Sequence, residues 1–127
     1  MQKLLFFALF ALFSCSPRLQ SQTVIDAGQT EAMLQADSTI QLIDVRTPAE
    51  WQQTGTLEGA RRINFNGSDF KLQVAELDKN KPVIVYCAAG GRSPRAAAML
   101  SKMGFQKVFD YAGGMNDWKA KGKKTVR

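Results

Sequence analysis

"KPVIVYCAAGGRSPRAAAMLSKMG", residues 81–104, holds three kinds of sequence in succession. Residues 81–87 form a near-continuous β-branched and apolar run, the kind buried on both faces of a parallel sheet. Residues 94–103 are helical in pattern. Ser93 stands where an N-cap belongs, Pro94 where the first helical residue tolerates a missing N–H, and Gly104 just past the end. Strand, tight loop, helix is one half of a parallel crossover, and the same alternation recurs along the chain. Residues 39–45 are a second apolar strand, residues 61–65 and 107–111 are shorter strands, and residues 23–26 are a weak one. Between them, residues 27–36 carry Met33 and Leu34 on a helical face, and residues 68–77 repeat Phe70, Val74 and Leu77 at spacings of four and three. A last helix is expected after "AGGM" (residues 112–115) and includes Trp118. Strand then helix, repeated, predicts an α/β domain with a mostly parallel central sheet.

The 127 residues, 45% of them hydrophobic, suffice for one core and not for two ordinary domains. Residues 1–14 read as a signal peptide: Lys3 opens it, and residues 4–13 are unbroken apolar sequence shorter than the roughly 20 residues a bilayer-spanning helix needs. "LFSC", residues 12–15, resembles a bacterial lipobox, which makes Cys15 the expected lipid attachment point; ordinary cleavage near Ser16 or Ser21 is the competing reading. The expected location is the periplasm or cell envelope, with the membrane reached through the lipid anchor. Residues 15–23, polar with one proline, read as a tether, residues 24–122 as the domain, and residues 123–127 as a basic tail. The formal charge is +6, one unit of which goes with Lys3, and much of the excess sits in "KAKGKKTVR", residues 119–127. That segment reads as solvated and frayed, with contact to anionic lipid as the weaker alternative. No nucleic-acid motif and no cluster of metal-ligand residues stands out, so no metal and no other cofactor is expected.

With Cys15 acylated, Cys87 is the remaining thiol and no internal disulfide can form. An unpaired cysteine in an exported protein is a reactive thiol, half of an intermolecular bridge, or a compact buried residue. Its setting favours the first. At the carboxyl end of a strand, where open α/β sheets bind ligands, the N–H groups ahead of the Pro94 helix and the helix dipole stabilise negative charge, and Arg92 adds a cation. Gly90 and Gly91 let the backbone take positive φ and form a nest of donors. Ala88 and Ala89 keep the rim small. The Cys87 thiol is therefore expected to ionise readily.

Cys87-Ala88-Ala89-Gly90-Gly91-Arg92-Ser93 resembles the active-site loop C-x-x-G-x-R-S of the rhodanese-like sulfurtransferases, and Ala96 and Ala97 continue the likeness. "DVRTPAEWQQTGTLEGARRINF", residues 44–65, is similar to that family's D-V-R-x-P-x-E block, and "GGMNDWKAKG", residues 113–122, to its closing G-G-x-x-x-W-x-x-x-G. Three blocks in order span nearly all of residues 24–122. The resemblance implies one rhodanese-like domain with a five-stranded parallel sheet flanked by helices. It also implies that Cys87 is the nucleophile that carries sulfane sulfur from a donor such as thiosulfate to a thiophilic acceptor such as cyanide or a thiol. In that picture Ala88 to Ser93 bind the outer sulfur, Arg92 organises the loop and draws in anionic donors, and Asp44, Arg46 and Glu50 brace the scaffold. The expected partners are a small donor and acceptor or a thiol protein, and the expected state is a monomer.

Two departures matter. Thr56 stands where the family usually has histidine, and the chain has no histidine at all; displacement at sulfur by a preformed thiolate needs no general base. Arg92 is also the one cation in the loop, which leaves room for a persulfide or protein donor in place of thiosulfate. Two other functions stay open from the residues. Cysteine phosphatases also place Cys and Arg around an anion, but with five intervening residues where this loop has four. A binding or redox module would pair Cys87 with a partner and turn nothing over. Trp51, Trp118, Phe65, Phe70, Phe105 and Phe109 are expected in the core.

Overall fold

The computed structural model describes residues 22–127. The expected signal peptide, Cys15 and most of the expected tether lie outside the described residues. The elements run β1 (Thr23–Ile25), α1 (Ala27–Ala36), β2 (Gln41–Asp44), α2 (Pro48–Thr54), β3 (Arg61–Arg62), α3 (Phe70–Val74), β4 (Val83–Tyr86), α4 (Ser93–Lys102), β5 (Val108–Tyr111) and α5 (Gly114–Ala120). The strands form one sheet in the order β1-β5-β4-β2-β3, with every pairing parallel.

β4 is central because its sequence permits nothing else. Val83, Val85 and Cys87 point to one face and join a core with Phe70 and Val74 of α3 and Leu100 of α4; Ile84 and Tyr86 point to the other and pack with Ala27 of α1 and Trp118 of α5. A strand apolar on both faces must be covered on both, and each fully buried aliphatic side chain contributes about 1.5–3 kcal/mol to that arrangement. The central position puts Cys87, the next residue after β4, at the middle of the sheet's carboxyl edge.

Helix ends follow local chemistry in some places and tertiary demand in others. Asp26 caps α1 with Gln29 in a reciprocal box, and Thr47 caps α2 with Glu50 in the same way. Ser93 is not the cap of α4: the preceding Arg92 already has helical angles, and Ser93 is the first helical residue with its hydroxyl turned to the Cys87 sulfur. α3 is shorter than residues 68–77, because beyond Val74 the chain tightens into i to i+3 hydrogen bonds that still bury Leu77. α5 starts at Gly114, inside the "AGGM" segment.

The C-terminal segment is pinned, not frayed. Thr56 and Val126 exchange backbone hydrogen bonds at 2.8 Å, Trp118 Nε1 donates to the Lys124 carbonyl at 2.9 Å, and Lys123 pairs with Glu31 while lying over the Trp118 ring. Thr56 and Glu31, both far away in sequence, make two of these contacts, which overrides a polar composition that reads as solvated. Trp118, Phe70 and Phe105 are core residues, with Phe65 and Phe109 packed against the core; Trp51 instead lies partly buried outside both clusters, with Arg62 over its ring.

Candidate active site

The loop between β4 and α4 folds over the Cys87 sulfur. Gly90 N–H donates to Sγ at 3.2 Å and Ser93 N–H at 3.4 Å, while the Ser93 hydroxyl lies 3.5 Å away. Gly90 makes this possible at φ +85°, where a Cβ would sit 2.6 Å from the Ala112 carbonyl oxygen. Gly91 has no positive φ and a Cβ on it would meet nothing within 4 Å, so one glycine, not two, makes the turn. Cys87 is buried, while Ala89 and Gly91 form the exposed rim above it.

Burial pushes the Cys87 thiol up, but the Ser93 hydroxyl and the Ser93, Arg92 and Gly90 N–H groups together outweigh it, and the pKa falls below the ordinary thiol value. An anion at this position meets converging donors at the start of a ten-residue helix.

Below the loop, α5 holds its backbone. Met115 N–H donates to the Cys87 carbonyl at 2.8 Å and Asn116 N–H to the Ala88 carbonyl at 3.0 Å. The closing G-G block is thus a brace for the strand end that carries the cysteine.

On the other side, Glu50 of α2 grips Arg92 with two hydrogen bonds of 2.6 and 2.9 Å. This joins two predicted site residues that are 42 positions apart. The guanidinium uses two of its five N–H donors on that carboxylate and keeps its charge near Cys87. The Arg92 hydrogen bonds, against burial and with help from Thr47, hold the Glu50 carboxyl down at about 2, from an ordinary value of 4.5. A lowered carboxylate contributes stability that is complete above about pH 4.5 and disappears as pH falls through about 2. Both side chains are about a quarter exposed, so Glu50→Gln is expected to cost only about 1–2 kcal/mol at neutral pH. Urea midpoints of the two proteins should converge as the pH approaches 2; a difference that persists there would contradict the assignment.

Asp44 and Arg46 meet behind the loop rather than in it. Both are almost wholly buried, paired at 2.7 Å, with Arg46 also donating to Thr54 Oγ1 and the Gly55 carbonyl. The Thr56 and Tyr86 hydroxyls reach Asp44 Oδ2 at 2.8 and 2.9 Å, and Leu57 N–H donates to the Tyr86 oxygen at 3.0 Å. Thr56 therefore has a polar role in the position where histidine was absent. Burial first, then the neighbouring Asp44 charge, pushes the Tyr86 phenol upward and keeps it a neutral donor.

Sequence reasoning missed Asp110. It lies on β5, is 2% exposed, and its Oδ1 has no hydrogen-bond partner among the described residues. The signal was present: "VFDY" places an acid at an inward-facing strand position. Among the described residues no group of three or more His, Cys, Asp or Glu side chains gathers as metal ligands.

A buried cysteine under a nest of N–H donors, at the carboxyl edge of an all-parallel five-stranded sheet, defines an α/β domain with a thiol at its strand end. The chain belongs to the rhodanese-like domain family, which matches residues 26–121. It is 31% identical over 94 residues to a sulfurtransferase of Allochromatium vinosum, covering 74% of this chain and 85% of that protein. It is 41% identical over 75 residues to the thiosulfate sulfurtransferase PspE of Escherichia coli, covering 59% and 70%. The solution structure of the polysulfide-sulfur transferase homodimer from Wolinella succinogenes superposes with a TM-score of 0.72 at 27% identity, covering 83% of this chain and 78% of that one. These relatives support a sulfurtransferase at the level of the family.

Proposed function

We propose that the protein moves sulfane sulfur from a donor to a thiophilic acceptor through a persulfide on Cys87. The Cys87 thiolate attacks the outer sulfur of the donor; the new S–S bond forms as the donor's S–S bond breaks, and with thiosulfate the leaving group is sulfite, which takes the electron pair. An acceptor such as cyanide or a thiol then attacks the outer sulfur, and the thiolate departs unchanged. Two half-reactions through one covalent intermediate give ping-pong kinetics.

The observation that carries this reading is the convergence of the Gly90 and Ser93 N–H groups on Cys87 Sγ. Donors already in place cost no reorganisation when the negative charge moves outward by one sulfur. The Glu50–Arg92 pair enters as the brace that holds the loop in this shape. The lowered thiol pKa enlarges the thiolate fraction, and displacement at sulfur by a thiolate needs no general base, which fits a chain that has no histidine. Thiosulfate is the donor suggested by the name of the Escherichia coli relative; a persulfide or a protein donor fits the same loop. The reading includes export through residues 1–14 and a lipid on Cys15, which would put the reaction at the cell envelope. The test is whether Cys87 takes one sulfur atom from thiosulfate and yields it to cyanide.

A further inference from the structure

Beside the Cys87 loop the surface is hollowed between α4 and α3. Arg95, Met99, Lys102 and Met103 follow one another along α4 and its cap at helical spacing, so they form one stripe. Phe65 closes the upper end with Arg95 over its ring at 5.3 Å, and Lys71 of α3 supplies the opposite wall. The groove encloses about 420 Å³ and runs into a second hollow of about 290 Å³ that shares Phe65, Lys71, Arg95 and Met99. Its floor is apolar, because Phe65, Met99 and Met103 are only partly buried against the core. Its rim is basic. Lys71, Arg95 and Lys102 are exposed, and none of them is in a salt bridge among the described residues. No acidic side chain lines either hollow, and Asp69, the acid next along from Lys71, accepts from Gln73 Nε2 at 2.8 Å.

The upper end of the groove belongs to the sheet edge that carries the thiol. Arg95 shares the first turn of α4 with Ser93, whose N–H donates to Cys87 Sγ. Phe65 N–H donates to the Val45 carbonyl, and Val45 N–H to the Tyr86 carbonyl. From Arg95 to Met103 the stripe is about 12 Å long, more than a small sulfur anion covers and the span of about four extended residues. Methionine floors adapt to differing apolar side chains, and a rim of one sign selects a partner of the other. A planar lipid surface would meet this rim and leave the floor empty, so the concavity favours a polypeptide.

We propose that the groove docks an acidic segment of a thiol protein that accepts sulfur from Cys87. One apolar side chain of the segment sits against Phe65, Met99 and Met103, and its carboxylates face Lys71, Arg95 and Lys102. The partner's thiol is then carried across the exposed rim at Ala89 and Gly91. Its thiolate attacks the outer sulfur of the Cys87 persulfide; the new S–S bond forms on the partner as the old one breaks, and the electron pair returns to Cys87 Sγ.

The inference rests on the sulfurtransferase reading, and its test separates the two. The probes are synthetic peptides with a terminal cysteine and a central leucine flanked by glutamates in one and by lysines in the other. The full chain, loaded on Cys87 from thiosulfate, is given each peptide, and transfer is followed by peptide mass. The glutamate peptide is expected to show a KM about tenfold below that of the lysine peptide, with similar kcat and a ratio that shrinks as salt is added. Lys71→Gln combined with Lys102→Gln, both at exposed positions, should bring the two KM values to within about twofold and leave sulfur release to cyanide unchanged. Equal KM values in the wild type, or a preference that the double variant keeps, would overturn the proposal. Binding is read without turnover from the Met99 and Met103 methyl NMR signals, which should shift saturably with the glutamate peptide carrying serine for cysteine and not with its lysine counterpart. Shifts with phosphatidylglycerol vesicles and none with the peptide would overturn it in favour of a membrane. Sulfur uptake and release to cyanide with no discrimination between peptides sinks the groove alone; methyl shifts with no sulfur uptake from any donor sink the transferase reading and uphold the acidic docking surface.

Discussion

Gly114→Ala is expected to destabilise the domain by about 3 kcal/mol and to slow sulfur transfer in whatever folds. Gly114 sits at φ +63°, and a Cβ there would lie 2.4 Å from the Cys87 carbonyl oxygen and 2.8 Å from that of Ala88. Those two oxygens accept the first hydrogen bonds from α5, so the clash cannot be relieved without moving the backbone that aims the sulfur. A displacement near 1 Å at a reacting centre costs on the order of 100-fold in rate. Gly91→Ala is the matched control, because its Cβ meets nothing within 4 Å and its φ is not positive. Urea denaturation and initial rates on both proteins check this: a large loss in the first and little in the second is expected, and equal losses would contradict the brace.

Asp44→Ala should be the more damaging change to stability, by about 3–5 kcal/mol, because it strands the guanidinium of Arg46 in the interior. Arg46 would keep only Thr54 Oγ1 and the Gly55 carbonyl, and the Thr56 and Tyr86 hydroxyls would lose a shared acceptor. Asp44→Asn keeps an acceptor for the hydroxyls and is expected to fall between Asp44→Ala and wild type. Thermal or urea unfolding of the three proteins gives the order; an Asp44→Ala protein as stable as wild type would show that the buried network does not hold the fold.

The site was legible where its chemistry is local. Cys87, Gly90 and Ser93 lie within one strand-loop-helix segment, so spacing alone brought them together. The near-continuous apolar run of β4 revealed a sheet covered on both faces, and the shorter strands followed as shorter runs of the same kind. α2 was not read as a helix because it buries none of its residues and so carries no apolar stripe. Its Thr47-Pro48 start with Glu50 three residues after the cap was the available signal. The Glu50–Arg92 clamp and the pinning of Val126 to Thr56 depend on partners brought together only by the finished sheet. Gly91 was credited with a conformation that Gly90 alone adopts, since two adjacent glycines give no local sign of which one turns. Asp110 was passed over as an ordinary strand residue, although an acid facing a core is the kind of local conflict that marks a site.

The most direct test is the intact mass of the purified protein after incubation with thiosulfate under non-reducing conditions, with peptide mapping to Cys87 and a Cys87→Ser protein alongside. The account predicts a gain of one sulfur atom on Cys87, removed by cyanide and missing from the variant. No gain from thiosulfate or from a low-molecular-weight persulfide, with Cys87 instead trapped in a stable mixed disulfide, would contradict sulfur transfer and make the domain a binding or redox module.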